Sequence, residues 1–265
     1  KIKENNPRLG VDNMCKINAG IGVTVSTINS KYIKKYPKLN LYSGQGVFVI
    51  GNDILKNLEN SKIKDFIKNS DIYHYKYKKN PNKLIYITKL DAIDNYPKIK
   101  AHLIQFKNIL DDQIVRYEEK FPWYALNRPR TANIFEDNNK IVCPYRAKEN
   151  YFAYSDESIY GSRDVLFIRE NDPIIKIKYV LSLLNSKLYY YWLYHRGKRK
   201  GETLELVEKP LSEIPIKKIL EPDQKPFIEI VDKILAITKS SDYFENPVKK
   251  EEVKEYEKQI DQLVY

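Results

Sequence analysis

The chain has 265 residues, of which 42% are hydrophobic and 31% charged, and this composition supplies enough apolar side chains for a core and excludes global disorder. No apolar run approaches the roughly 18–20 residues that a membrane-spanning helix needs, which excludes an integral membrane protein. Lysine and arginine number 46 against 35 aspartates and glutamates, for a formal net charge of +11, and the low count of 9 glycines argues against a dinucleotide-binding or P-loop scaffold.

The first part of the chain predicts short strands and one long helix. Apolar runs rich in β-branched residues, each bounded by glycine, proline, asparagine or charge, predict strands at residues 47–50, 84–87, 141–142 and 165–168. Between the second and third strands, apolar residues recur at spacings of three and four, which predicts an amphipathic helix over residues 99–119.

The second part of the chain predicts three helices. One follows Pro173 and ends near Gly197, and the others cover residues 226–238 and 247–265. Helix and strand signals are interleaved without a regular strand–helix–strand repeat. The predicted fold class is therefore α+β, a twisted, irregular sheet with packed helices followed by C-terminal helices.

The chain length suits one large domain, or one domain plus a short appendage. Prolines and charges break the apolar pattern around residues 219–224, and the chain beyond them is helical and strongly charged. We therefore predict a main domain over residues 1–220 and a C-terminal helical segment over residues 221–265.

The positive charge indicates an anionic partner such as nucleic acid or an acidic membrane surface. A composition bias toward lysine, isoleucine, asparagine and tyrosine is an alternative explanation of the bulk charge. The arginines are more informative, because eight of the nine lie between Arg116 and Arg199. Arginine presents a planar fork of donors that binds phosphate or guanine at two points, which lysine cannot do.

Cysteine and histidine usage favours neither disulfides nor metal. Cys15 and Cys143 lie far apart in apolar contexts, which predicts reduced, buried thiols and a cytoplasmic location. The three histidines are isolated from one another and from the cysteines, so no metal site is predicted. The chain starts without an initiator methionine and without the apolar segment of a signal peptide, so we expect a fragment of a longer chain.

The sequence contains no recognisable catalytic constellation. Methyltransferases that act on exocyclic amines use a polar residue followed by Pro-Pro-aromatic, and residues 121–124 lack the polar residue. Neither of the glycine pairs at residues 20–22 and 44–46 follows a convincing strand and opens a helix, as a nucleotide fingerprint requires. We therefore predict no cofactor site and no catalytic residue in this chain.

One motif has the spacing of a PD-(D/E)xK nuclease. Pro222-Asp223 is followed downstream by Glu252-Val253-Lys254. That chemistry needs the second carboxylate and the lysine on a strand beside the aspartate, converging on a metal ion. Here the second half of the motif lies in a segment with the charge pattern of a solvated helix, so a metal-dependent nuclease is kept as an alternative only.

Basic side chains lie next to aromatic ones in several segments, a combination that suits a polyphosphate backbone. Solvated loops and structural tyrosines are the alternative explanation. The candidate DNA-binding residues in these segments are Lys76 and Tyr77, Arg128 and Arg130, Tyr145, Arg146 and Lys148, and Arg196, Lys198, Arg199 and Lys200.

Taken in order, eight segments resemble the TaqI-like C-terminal specificity domain, the target-recognition domain of adenine-specific DNA methyltransferases and of fused restriction–modification enzymes. Each segment alone is a weak match to the family, but the eight segments in this order are a fairly specific match. The segments are residues 15–21, 46–50, 84–86, 123–130, 140–142, 151–154, 183–187 and 211–216.

The resemblance implies a division of labour. In the family, an N-terminal domain binds S-adenosylmethionine and carries the catalytic motif, the C-terminal domain reads bases, and the target adenine is flipped into the catalytic domain. This chain departs from the family pattern by lacking the catalytic half, so S-adenosylmethionine is expected in a methyltransferase domain in cis. The segment 123–130 and the loop after Gly20 are carried over as DNA-facing parts. Further candidates are Lys16, Asn18, Thr24, Thr27, Asn29 and Tyr160.

The leading hypothesis is a sequence-specific recognition domain for double-stranded DNA, serving an adenine-specific methyltransferase with or without a fused endonuclease. The nuclease above is one alternative. A protein–protein module, with the two terminal helices as a self-association surface, is the other. No membrane partner is expected.

Overall fold

The computed structural model describes residues 6–10, 12–115 and 120–265 and confirms the α+β class. Short 3₁₀ turns occupy Asn60–Lys62, Asn69–Asp71 and Ile93–Asn95. The strands are β1 (Cys15–Ala19), β2 (Val49–Ile50), β3 (Ile63–Ile67), β4 (Lys83–Ile85), β5 (Lys140–Pro144), β6 (Arg146–Ala147), β7 (Ala153–Ser155), β8 (Tyr160–Gly161), β9 (Val165–Glu170), β10 (Lys198–Lys200) and β11 (Thr203–Glu205). The helices are α1 (Ser30–Lys35), α2 (Asn52–Leu55), α3 (Pro97–Ile104), α4 (Lys107–Ile114), α5 (Asn133–Glu136), α6 (Ile177–Asn185), α7 (Lys187–Arg196), α8 (Glu208–Ser212), α9 (Glu221–Thr238) and α10 (Pro247–Val264).

An antiparallel sheet in the order β1-β9-β5-β7 separates two hydrophobic cores. Successive residues of a strand point to opposite faces. Ile141 and Ile168, which pair across β5 and β9, enter one core, whereas the neighbouring pair Val142 and Phe167 enters the other. Both faces of these strands are therefore buried, which explains why the sequence shows continuous apolar runs there instead of alternation.

The first core lies between this central sheet and the helices α6, α7, α9 and α10. The second core lies on the opposite face, against a sheet in the order β2-β4-β3-β8 and the helices α3 and α4. A third, smaller sheet in the order β10-β11-β6 continues from the end of β5. Since α9 and α10 contribute side chains to the first core, residues 221–265 pack directly on the main body. The division at residue 220 remains a prediction.

The predicted helix over residues 99–119 is wrong as one continuous element. It is two helices, α3 and α4, which meet at Phe106, and residues 116–119 lie outside the described ranges. Phe106 leaves helical geometry (φ −106°, ψ 8°) while its side chain stays buried beside Leu103 and Leu110. The apolar spacing continues across the break, so the sequence pattern does not reveal it.

The helix predicted after Pro173 also divides, into α6 and α7, and ends at Gly197 as expected. Ser186 has extended geometry (ψ 157°), and its hydroxyl accepts the N–H of Tyr189 as an N-cap. Asn185 fixes the break, because its side chain exchanges hydrogen bonds of 3.1 and 2.8 Å with the backbone of Phe152.

The predicted start of the following helix at Pro226 is wrong. Helix α9 begins at Glu221 and carries Pro222 in its first turn, where a missing N–H is not needed. Pro226 lies inside the helix and leaves one carbonyl without its usual partner. Helix α10 begins at Pro247 as predicted, with Asn246 as its side-chain cap.

Residues 73–79 alternate like an exposed strand, but the structure contains only isolated bridges there, at Ile72 with Tyr77 and at Tyr75 with Ala153. Tyr75 has a φ of 60° and is buried, which turns the backbone out of the extended form. Within the described ranges, no helix combines the length and the apolar composition needed to cross a bilayer.

Candidate nucleic-acid interface

The sheet of β10, β11 and β6 carries a concentration of cations, and we call it the basic sheet. Lys198 pairs with Glu205, which pairs in turn with Arg146 on β6. The basic run at residues 195–201 is not a solvated loop, because it ends helix α7 and then forms strand β10. Lys200 ends β10, and Gly201, with a φ of 59°, allows the tight turn into β11.

A buried carboxylate organises these cations. Glu205 is only 4% exposed, and it accepts hydrogen bonds from Nε of Arg146 at 2.8 Å and from Nη2 of the same guanidinium. Its other oxygen lies 2.8 Å from Nζ of Lys198. The hydrogen bonds from Lys198 and Arg146 hold the pKa of the Glu205 carboxyl below its usual range. The same contacts raise the pKa of Lys198 and of Arg146, so the cluster keeps its charges.

The other cations of the basic sheet are exposed. Lys200 lies two residues from Lys198 and so on the same face of β10, and Lys148 follows β6. Arg199 points to the opposite face, where its guanidinium lies 3.9 Å from the ring centre of Tyr194. Arg196 is exposed at the end of α7. These side chains present positive charge on both sides of the sheet.

The second basic segment, residues 127–130, lies against the loop after β1. Gly22 and Arg128 exchange backbone hydrogen bonds of 3.0 and 3.3 Å. Arg130 has a φ of 59°, and its Nε donates to the carbonyl of Gly20 at 3.4 Å. Arg128 and Arg130 are both exposed. The two DNA-facing parts inferred from the resemblance are thus neighbours in the fold.

Two backbone hydrogen bonds to residues 161–164, which we call the backbone ribbon, connect this pair to the basic sheet. The N–H of Ile21 donates to Gly161 at 2.8 Å, and the N–H of Tyr145 donates to Asp164 at 2.8 Å. Both contacts lie at the end of the central sheet where β9 begins and β5 ends. The two basic groups therefore lie along the same end of the central sheet.

Sequence reasoning missed three residues of this arrangement. Arg163 is exposed in the turn of the backbone ribbon between Gly161 and Asp164. The sequence feature that could have revealed Arg163 is its place in Ser-Arg-Asp directly before the strand predicted at residues 165–168. Glu205 lies between Leu204 and Leu206 after the basic run, and Asn69 binds the backbone of Arg146 from outside the sheet.

Other candidates lie in different surroundings. Lys16 is exposed on β1, and Asn18 accepts from Nη2 of Arg169 at 3.2 Å. Lys76 donates to the carbonyl of Ser240 at 2.7 Å, beside helix α9. These contacts fix Asn18 and Lys76 to the protein itself.

Hydrogen bonding also engages several of the predicted hydroxyl and amide groups. Tyr77 donates to Glu157 at 2.8 Å, and Asn29 caps helix α1. Tyr160 has no exposed surface and donates to Glu136 at 2.8 Å, so it cannot reach a ligand in this structure. Thr24 and Thr27 are half-buried in the loop after Gly20.

The glycine pairs do not form a phosphate cradle. Gly20 follows strand β1, but a Cβ on it would lie 2.2 Å from the carbonyl oxygen of Ser162, so the space is filled by backbone. Gly44 has a φ of 87° in a turn that leads to no helix. In the part of the chain that the structure describes, no three His, Cys, Asp or Glu side chains are placed to share a metal ion.

The nuclease-like motif does not assemble either. Asp223 lies in the first turn of α9, whereas Glu252 and Lys254 lie on α10. Lys254 instead pairs with Glu251 at 3.0 Å on the same helix. The strand that this chemistry requires is a helix here, and the nuclease alternative is not favoured.

The lowered pKa of Glu205 gives a testable pH dependence of stability. A carboxyl whose pKa is lower in the folded than in the unfolded state stabilises the fold above its unfolded pKa, and this contribution is lost as the pH falls through the folded value. We therefore expect wild type to exceed Glu205→Gln in free energy of unfolding above about pH 5, with the difference shrinking toward pH 3. Urea denaturation of both proteins from pH 3 to 7 measures it, and a difference independent of pH would contradict it.

Comparison with known proteins gives similarities in sequence and in fold. The model of the TaqI-like C-terminal specificity domain matches residues 51–216. Two proteins of Haemophilus influenzae, the Type II methyltransferases M.HincII and M.HindII, are each 32% identical to this chain over 124 residues. The match covers 43% of this chain and 25% and 24% of the two methyltransferases, so this chain corresponds to about a quarter of their length.

The fold is similar to part of the Type IIL restriction-modification enzyme MmeI, whose structure was determined in complex with DNA. The TM-score is 0.62 at 12% sequence identity, over 98% of this chain and 33% of that enzyme. At this level of identity the likeness concerns the fold.

Proposed function

Because this chain belongs to the TaqI-like C-terminal specificity domain family, we propose that it recognises a specific sequence in double-stranded DNA and positions that DNA for a methyltransferase module. The observation that carries the proposal is the arrangement of Arg128, Arg130, Arg163 and the basic sheet along one end of the central sheet. Lysines and arginines on this surface neutralise phosphates and fix the register, while a few side chains reach base edges in the major groove.

The methyl transfer itself is proposed to take place on another module, joined to this one in cis. One feature supports this: the curated relatives are methyltransferases of which this chain spans about a quarter. S-adenosylmethionine, as methyl donor, would then be bound by that module, and adenine would be the target base. This chain would supply recognition and no catalytic group.

Two further parts of the hypothesis stay predictions. Self-association through α9 and α10 is one, and exposed apolar side chains on α10 such as Val248 would be its contacts. A cytoplasmic location is the other, supported by two free, buried cysteines that suit a reducing compartment.

Lys200→Ala tests the phosphate-binding role of the basic sheet. The side chain of Lys200 is exposed. Its loss should therefore weaken binding to all duplex sequences by a similar factor and reduce the slope of log affinity against log salt by about 1. Fluorescence anisotropy with a duplex selected from a random library, measured at several salt concentrations, gives both quantities.

Lys187→Ala is the matched control, because it removes the same charge at the far end of α7, where Lys187 is 77% exposed. It should leave the slope unchanged. If Lys200→Ala and Lys187→Ala behave alike, the basic sheet is not the phosphate surface. If wild type binds all duplexes equally, the proposed recognition of a specific sequence is wrong.

A further inference from the structure

The carboxylate of Glu205 holds the side chain of Arg146 in one orientation. Both Nε and Nη2 of its guanidinium donate to the same oxygen of Glu205, which is 4% exposed, while the Arg146 side chain is 43% exposed. Lys198 occupies the second oxygen of Glu205 at 2.8 Å. The inner edge of the guanidinium is therefore committed to the protein, whereas the rest of the side chain is partly exposed, with its guanidinium carbon 5.2 Å from the ring centre of Tyr145.

The backbone of Arg146 is fixed as well. The side-chain amide of Asn69 donates to the carbonyl of Arg146 at 3.1 Å and accepts its N–H at 3.1 Å. β6 is the edge strand of the basic sheet, so Asn69 takes the place that a further strand would have. An arginine fixed at both its backbone and its inner guanidinium edge loses little conformational freedom when it binds.

The free edge of Arg146 has the geometry of a two-point donor. A guanidinium has five N–H groups, and Glu205 uses that of Nε and one of Nη2. Of the three N–H groups that remain, the second of Nη2 and the adjacent one of Nη1 are parallel, and this pair forms the edge that donates to O6 and N7 of guanine in the major groove.

We propose that Arg146 reads a guanine, with Glu205 and Asn69 as positioning residues, and this rests on the proposed recognition of duplex DNA. A phosphate is the other acceptor of such an edge. A buried carboxylate that partly neutralises the arginine weakens its attraction to phosphate, yet it sharpens the orientation that a base edge requires. Lys200, which is exposed on the same sheet, is better suited to phosphate.

Arg146→Ala and Arg146→Lys test the proposal by selection of bound duplexes from a random library. We expect wild type to prefer G·C at one position by about fivefold or more over other pairs, and both variants to lose that preference while other positions keep theirs. Lysine keeps the charge but lacks the two-point fork, so its failure to restore the preference separates geometry from charge. Both variants disturb the hydrogen bonds from Arg146 to the buried Glu205, so each should melt below wild type, and binding is compared at a temperature at which all three proteins are folded.

Glu205→Gln is the second variant. It leaves a side chain of the same shape but frees Arg146 and Lys198 of their counter-charge, so binding to non-cognate DNA should rise while the guanine preference falls.

Three outcomes would overturn the proposal, and they differ. An unchanged base preference in Arg146→Ala means that another residue reads the site. A uniform loss of affinity with a salt slope smaller by about 1 makes Arg146 a phosphate contact. Both results leave the recognition function intact, whereas a wild-type protein without any base preference removes that function together with this inference.

Discussion

Gly20→Ala is expected to lower the free energy of unfolding by about 2–4 kcal/mol, because the substitution forces backbone to move at the junction of the central sheet and the backbone ribbon. A Cβ on Gly20 would lie 2.2 Å from the carbonyl oxygen of Ser162 and 2.5 Å from that of Gly161. Neither atom belongs to a side chain that can rotate away. The N–H of Gly20 also donates to Val165 at 2.8 Å, so the segment cannot shift without losing that bond.

The matched control is Gly44→Ala. Gly44 has a φ of 87° but open space around it, so alanine there should cost only the strain of the left-handed backbone, about 1 kcal/mol. Urea denaturation of both variants gives the comparison. If the two variants lose the same free energy of unfolding, the close contact at Gly20 relaxes easily. Because the carbonyl of Gly20 accepts from Arg130 and nearby Gly22 pairs with Arg128, we also expect weaker DNA binding in Gly20→Ala at temperatures where it remains folded.

The central strands and the two terminal helices could be predicted from the sequence, because the spacing of their apolar residues shows which side chains are buried. The run at residues 165–168 is apolar throughout, and β9 is indeed buried on both faces. The breaks at Phe106 and Ser186 could not be predicted, since helical spacing continues through each of them. They depend on contacts distant in sequence, such as that between Asn185 and the backbone of Phe152.

The candidate interface was predictable in composition but not in arrangement. The basic run at residues 195–201 and Arg146 were each found as separate motifs. Their pairing through Glu205 joins strands that are far apart in the sequence, and no local signal marks a partner at that distance. For the same reason the sequence predicts Tyr160 as a DNA contact, although the structure buries this side chain in the second core.

Helix α9 shows how far the C-terminal segment is built into the body of the protein. Gln224 has no exposed surface, and its amide accepts the N–H of Lys176 at 2.9 Å and donates to Ile174 at 2.8 Å and Ile219 at 3.0 Å. These bonds hold the start of α6. A test of self-association by removing the helices would therefore also remove part of the core, and it should be made in the full chain instead.

Deleting residues 221–265 is accordingly expected to abolish cooperative folding of residues 1–220. The deletion removes five large apolar side chains of α9 from the first core, each worth about 1.5–3 kcal/mol when buried, and their sum of roughly 7–15 kcal/mol equals the whole stability of a typical domain. These side chains are Phe227, Ile230, Val231, Ile234 and Leu235.

Thermal melting by circular dichroism, together with limited proteolysis, measures the outcome of this deletion. A shorter deletion that ends the chain at Asn246 is the control. It removes only α10, with Val253 and Ile260 as its main core residues, so this protein should still fold and melt at a lower temperature. A cooperative transition in the 1–220 protein would instead establish the predicted boundary at residue 220 as that of an independent domain, since its core would then be complete without α9.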